Sequence, residues 1–309
     1  MANENIVLRE YKKGDEYGIV ELFREVFGTH MDIKAWKWKY IESGIGPFIS
    51  VAEQKGKIVG HYGLVPRRVN FKGTEHISAV VADVIVHPGV RHIFSKRGLF
   101  YRLVKFSIDR FTPLEESRRV LLGYGFPQER AKKIGVKLGL YEEVEDALDM
   151  SILPSRKPTL YYARPCNLDR IKIEKLWQIM KDELRDKIVN FRDYQTLKWR
   201  YSQPNAKFSF LCIFKLYKLV SMVIVREDTY EKKVYDYVGS LDYLDKSLMV
   251  VASLYNRVKT RLPPWVSERL KTLRVERIEK VTLVTNAVTG PCAGELSGHF
   301  FYTYGDEDV

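Results

Sequence analysis

Cysteine is scarce in this 309-residue chain: Cys166, Cys212 and Cys292 all fall in the second half, with no Cys-x-x-Cys pair and no histidine cluster beside them. That argues against a disulfide framework and against cysteine-held zinc, so no metal is expected. Long apolar runs are also missing. None approaches the roughly 18 to 20 residues of a membrane helix, and the start, Met1-Ala-Asn-Glu-Asn-Ile6, has neither a basic leader nor an apolar signal core. Secretion and membrane spanning are thereby disfavoured, and the expected compartment is the cytoplasm. No block of five or six consecutive Lys or Arg appears either, although 51 Lys+Arg stand against 39 Asp+Glu for a net +12. Residues 1–150 hold 24 basic and 20 acidic residues and the remainder 27 and 19. An excess so dispersed suits anionic ligands such as phosphates, or a solvated surface, at least as well as DNA. What is plentiful is core material. The chain is 45% hydrophobic with 19 Tyr, 15 Phe and 5 Trp, enough for a folded protein of two ordinary domains.

Self-similarity organises the chain. Asp32-Ile-Lys-Ala-Trp-Lys-Trp38-Lys39-Tyr40 returns as Asp193-Tyr-Gln-Thr-Leu-Lys-Trp199-Arg200-Tyr201, 161 positions later, and Lys57-Ile-Val59 falls on Lys218-Leu-Val220 at the same offset. An order shared over about thirty residues predicts two copies of one fold. The expected division is 1–153 and 159–309, joined by the stretch Leu153-Pro-Ser-Arg-Lys-Pro158. The Trp-basic-Tyr units are expected to be helix-to-sheet packing in both copies.

Periodicity and turn residues predict, in the first copy, a strand at 6–9, helices at 16–26 and 32–43, and strands at 48–53, 57–65 and 76–86. A helix at 98–111, a strand at 119–123, a helix at 127–138 and a strand at 142–152 follow. The order implies an α/β, or α+β layered, domain with a mixed central sheet flanked by helices. In the second copy a strand at 233–239 and a helix at 245–258 are expected, with no Gly-centred basic loop between them. Asp236 and Glu231 are minor site candidates there, since charges so placed are more often a solvated edge. The stretch Arg257–Lys280, with eight basic and three acidic residues, reads as a solvated helix face or a surface for an anionic sugar, nucleotide or RNA.

The apolar run Val80-Val-Ala-Asp-Val-Ile-Val86 ends at His87-Pro88-Gly89, and a helix starts at Gly98-Leu99-Phe100. A Gly at that junction lets backbone N–H groups converge at a helix N-terminus, and Arg91, Lys96 and Arg97 add full charges beside it, a composition suited to a pyrophosphate. With Ile6-Val-Leu-Arg-Glu-Tyr, Gly125-Phe-Pro-Gln128 and Lys137-Leu-Gly139-Leu140, these residues resemble the GNAT superfamily of acetyl-CoA-dependent N-acetyltransferases. More narrowly, the chain resembles its tandem members, in which a degenerate second copy follows the first. The resemblance implies acetyl-CoA, or another acyl-CoA, as cofactor, held by Val84, Ile85, Val86, Arg91, Lys96, Arg97, Gly98, Leu99 and Phe100, with a backbone N–H near Val84 or Val86 for the oxyanion. The family's loop usually reads Arg/Gln-x-x-Gly-x-Gly/Ala. Here His92–Lys96 looks inserted, Ser95 holds the leading position, and Phe100 replaces a small residue.

Asp83 is the sole charged residue of its run. Facing the groove, it would receive the proton of the attacking amine; facing away, it would be structural. The family's general acid is a Tyr at the position of Gly135, so Tyr124 or Tyr141 would have to substitute, or the thiolate would leave unaided. The leading expectation is therefore an N-acyltransferase acting on a primary amine, such as an amino sugar, a polyamine, an antibiotic or a protein lysine. Two alternatives stand beside it. One is a Fem-type peptidyltransferase using aminoacyl-tRNA, which +12 would suit but the Arg97-Gly98 loop would not. The other is a non-catalytic GNAT-fold binding module.

Overall fold

The structure, a computed structural model, describes residues 6–91, 95–112, 120–155, 159–227, 230–286 and 288–307. The first half runs β1 (Ile6–Glu10), α1 (Asp15–Phe27), α2 (Ile33–Tyr40), β2 (Phe48–Gln54), β3 (Lys57–Phe71), β4 (Thr74–Val86), α3 (Leu99–Phe111), β5 (Val120–Gly125), α4 (Glu129–Lys137) and β6 (Tyr141–Leu153). The second half repeats this order. It runs β7 (Tyr161–Cys166), α5 (Arg170–Glu183), a short β8 (Ile188–Asn190), α6 (Tyr194–Arg200), β9 (Phe208–Lys215), β10 (Lys218–Arg226), β11 (Lys233–Gly239), α7 (Leu244–Tyr255), β12 (Val258–Leu262), α8 (Pro264–Ser267) and β13 (Arg274–Asn286), and then α9 (Ala293–Leu296) and β14 (Phe300–Phe301).

These strands form one mixed sheet in the order β1-β2-β3-β4-β5-β13-β6-β12-β11-β10-β9-β7, which reads as a palindrome once β6 and β13 are matched to each other. Each half thus gives its last strand to the other: β13 enters between β5 and β6, and β6 between β13 and β12. A pseudo-twofold relation follows, and side chains obey it. Trp38 and Trp199, 161 positions apart, stack at 5.8 Å, and each indole Nε1 donates to the other's backbone carbonyl, at 2.7 and 2.8 Å. The two Trp-basic-Tyr helices therefore meet each other as well as the sheet.

The expected mixed sheet flanked by helices is what the chain forms, with differences of detail. Strand β3 runs six residues beyond the expected 65, because Lys72 and Gly73 both take positive φ (49° and 94°) and close a two-residue hairpin turn that keeps the ladder paired to Phe71 and Thr74. The lengthened hairpin reaches the other half: Val69–Phe71 pairs with β8, and Asn70 Nδ2 donates to the carbonyls of Leu184, Arg185 and Lys187. Helix α7 stops at Tyr255 rather than 258, since Asn256 turns left-handed (φ 63°) and ends it. The stretch 257–280 is no helix face but β12, α8 and most of β13. The first-half core likewise borrows Leu283, Leu296, Phe300 and Tyr302 from the second half.

Candidate functional site

Strand β4 is where the first half opens. It pairs in parallel with β5 only as far as Val80, which faces Tyr124; from Val81 on, it has no β5 partner among the described residues. On its other edge the ladder to β3 skips a residue, since Ala82 faces Gly63 and Ile85 faces His61. The bulged residue is Asp83, at φ 48°, a left-handed conformation that Asp tolerates better than its apolar neighbours would. Val81, Asp83 and Val84 stay partly exposed there, while Ile85 and Val86 are buried.

Three side chains hold the bulge. Lys39 Nζ (2.9 Å) and the Tyr40 hydroxyl (2.7 Å), adjacent at the end of α2, both donate to Asp83 Oδ2. Tyr40 reaches it across Gly63, where a Cβ would stand 2.5 Å from the phenol oxygen, so only glycine lets the ring pass. His61 Nδ1 lies 2.7 Å from the Asp83 carbonyl. Burial lowers the pKa of His61, so the ring is neutral and Nδ1–H is the donor. For Asp83 burial acts upward, but the Lys39 charge and the Tyr40 hydrogen bond outweigh it and hold the carboxyl below its ordinary range. Asp83 is thus an ionised carboxylate engaged by two donors.

Beyond β4 the chain enters α3 through Gly98, an extended N-cap (φ −70°, ψ 153°) with no side-chain cap. Gly98 N–H donates to Ser95 O at 2.9 Å, and the first-turn N–H groups of the helix are left for a ligand or water. Leu99, Leu103, Val104 and Ile108 anchor the helix on the sheet; Phe100 is half-buried, and Arg91, Lys96 and Arg97 are exposed around the turn. Uncapped donors, a dipole end and three exposed cations beside a splayed strand fit a diphosphate. His92, Ile93 and Phe94 lie outside the described residues.

Tyr124 stands at the point of splay, but its hydroxyl is occupied: it donates to Asp306 O (2.8 Å) and accepts from Asn190 Nδ2 (2.9 Å) in a fully buried setting. Tyr141 is different. A Cβ on Gly135 would fall 2.0 Å from the Tyr141 ring, so the aromatic from β6 fills the space that a side chain at 135 would need. Burial pushes its phenol up to about 12, which keeps it protonated.

The second half builds the same latch and then seals it. Arg200 and Tyr201, 161 positions after Lys39 and Tyr40, both bond Asp236 Oδ2 on β11, at 2.7 and 2.8 Å. Asp236 is fully buried, not a charge on a solvated edge, because Arg192 adds a bond at 2.7 Å and the C-terminal segment closes over it. Strand β11 pairs with β12 only at Lys233 and Val234, and beside the open part sits the turn Tyr304–Asp306. A Cβ on Gly305 would lie 2.5 Å from the Tyr201 hydroxyl and 2.8 Å from Tyr235 O. Asp306 bonds Arg192 (2.5 Å) and Asn190 (2.9 Å), while Arg67 holds the carbonyls of Gly305 and Glu307. Glu231 accepts from Ser151.

Arg67, Arg192, Asn190 and Asp306 are functional-looking residues that reading the sequence did not single out. For Arg200 and Tyr201 the repeat itself was the available signal. Among the described residues no group of three His, Cys, Asp or Glu is placed to hold a metal, and no helix is long and apolar enough to cross a membrane.

Residues 7–133 match a family model described as an acetyltransferase (GNAT) domain. No curated protein matches the chain in sequence. Among solved structures the chain is similar to a GCN5-related N-acetyltransferase from Kribbella flavida, with a TM-score of 0.65 at 12% identity, covering 91% of this chain and 70% of that one. It is also similar to one from Anabaena variabilis ATCC 29413, with a TM-score of 0.66 at 14% identity, covering 90% and 72%. At such identities the likeness is one of fold.

Proposed function

We propose that the chain, whose residues 7–133 match the GNAT acetyltransferase domain, moves an acetyl or related acyl group from CoA to a primary amine, with the cofactor in the first of two copies divided near 153–159. The observation that carries the reading is the splay of β4 from β5 after Val80, ending at the uncapped N-terminus of α3 with Arg91, Lys96 and Arg97 around it. Acyl-CoA, when bound, supplies a thioester carbonyl as electrophile.

The chain's own residues do the rest. Leu99 and Phe100, following the extended Gly98, present backbone N–H groups to the diphosphate, and the three cations neutralise it. The Asp83 bulge turns β4 so that backbone N–H groups at Val84 and Val86 can meet a developing oxyanion. Because Asp83 is ionised and held by Lys39 and Tyr40, it is a positioning residue: it fixes the bulge and orients an approaching ammonium, while solvent takes the proton. Tyr141, protonated and filling the space at Gly135, is the proton donor to the departing thiolate in preference to Tyr124, whose hydroxyl is already bonded on both sides.

Release of free CoA thiol from acetyl-CoA in the presence of a panel of amines tests the reading. Turnover with at least one primary amine is expected, and Tyr141→Phe should lower kcat about 10- to 100-fold with little change in KM. No thiol release with any amine would overturn it.

A further inference from the structure

Strand β13 is paired with β6 along nearly all its length, but on its other edge only Val284 and Thr285 meet a strand, facing Gly125 and Tyr124 of β5. Among the described residues its first part, from Arg274 to Lys280, therefore offers an unpaired backbone edge. That part is also bare: residues 274–278 and 280 are exposed, with Val275 at 37% and Ile278 at 54%. An open edge carrying exposed aliphatic side chains is a template for another strand.

The sequence of that edge selects its partner. From 276 it reads Glu276-Arg277-Ile278-Glu279-Lys280. Two identical strands related by a twofold axis through the sheet pair antiparallel about one residue, and with Ile278 at the centre the charges flanking it are complementary. Ile278 meets Ile278 and Arg277 meets Glu279 of the other copy, the latter twice by symmetry, while Glu276, the extra residue of the β6–β13 ladder, stands outside this register. Moving the centre to Arg277 sets two arginines face to face; moving it to Glu279 sets two glutamates face to face. The present partners of these charges can be exchanged. Arg277 to Glu279 (2.8 Å) is a pair at exposed or half-exposed positions, of the kind worth little in water, and Glu279 keeps its other oxygen on the less exposed Lys259 (2.5 Å). The register break between Val275 and Arg277, where Glu276 is the extra residue, interrupts the regular strand before the β6 ladder resumes, so the contact is short.

We propose that two copies of this chain associate through the β13 edge, antiparallel about Ile278, so that the sheet continues from one copy into the other. A contact of this size holds with an affinity on the order of 10 µM. Sedimentation or light scattering of the full chain at about 100 µM in low salt reads it: a dimer is expected, shifting toward monomer as salt screens the two charge pairs. Arg277→Glu alone and Glu279→Arg alone should each give a folded monomer by circular dichroism, and the double exchange Arg277→Glu/Glu279→Arg should restore the dimer. Independently, Ile278→Cys should form an intermolecular 278–278 disulfide under mild oxidation, mapped by peptide mass. A native chain that is monomeric at this concentration, a dimer indifferent to Arg277→Glu, a double exchange that stays monomeric, or the absence of the 278–278 crosslink would each overturn the proposal.

Discussion

The latches Lys39–Tyr40–Asp83 and Arg200–Tyr201–Asp236 use the same geometry, a cation and a phenol from one helix end gripping an aspartate on the corresponding strand of its half, β4 or β11. They differ in what lies beyond. The side chains of Lys39 and Asp83 keep 8% and 12% exposure beside a strand that splays open, whereas Arg200 and Asp236 keep 1% and 0% beneath the turn Tyr304–Asp306. A feature present in both halves, one of which has its opening filled by its own chain, belongs to the architecture rather than to the chemistry. The proposed chemistry rests instead on what the first half alone has: the Gly98 helix end, its cations, and Tyr141.

Removing the aspartates should break the comparison most visibly. Asp236→Ala leaves two fully buried guanidinium groups to share Asp306 and should cost about 3–5 kcal/mol or abolish folding, while Asp83→Ala strands one ammonium close to the surface and should cost about 2–3 kcal/mol; urea midpoints at neutral pH separate the two. Equal losses would mean that the two latches are equally sealed. Gly305→Ala forces a methyl into backbone and the Tyr201 hydroxyl and should cost about 2–3 kcal/mol by loosening the C-terminal turn. Its check is denaturation together with unchanged acetyl-CoA binding.

Acid should affect both halves. The carboxyls of Asp83 and Asp306 are held below the unfolded value near 3.9, Asp306 down to about 2, where burial acts upward and Arg192 and Arg200 act downward more strongly. Groups with depressed folded values contribute stability that is complete above the unfolded value and lost as pH falls through the folded one. Stability should therefore hold down to about pH 4 and decline between about 4 and 2, followed by far-UV circular dichroism. The smallest effect sharpens the symmetry. Trp38→Phe and Trp199→Phe each remove one of two reciprocal hydrogen bonds and should cost about 1 kcal/mol apiece, equal within error, with a double variant costing less than the sum.

The repeat was legible because Trp38 and Trp199 carry unmistakable local signatures at a fixed offset, and the β4-to-α3 junction because Gly98 and its cations sit together in the chain. The exchange of β6 and β13 was not. An antiparallel ladder between residues 141–153 and 274–286 leaves no mark in either segment's own periodicity. The long β3–β4 hairpin was half legible: Lys72-Gly73 is a turn signal, but its strands lengthen because β8 supplies a distant partner. Gly135 read as a missing tyrosine, and only packing reveals that Tyr141 fills its place. Asp236 misled because a charge in a strand more often marks a solvated edge, and its burial depends on Arg192 and Asp306, which are far away in sequence.

Calorimetric titration with acetyl-CoA tests the central claim most directly, because it counts openings. The asymmetry between the halves predicts one molecule bound per chain, lost on Gly98→Glu, which places a carboxylate at the helix end, and retained in Gly305→Ala. No binding, two molecules per chain, or binding indifferent to Gly98→Glu would contradict it.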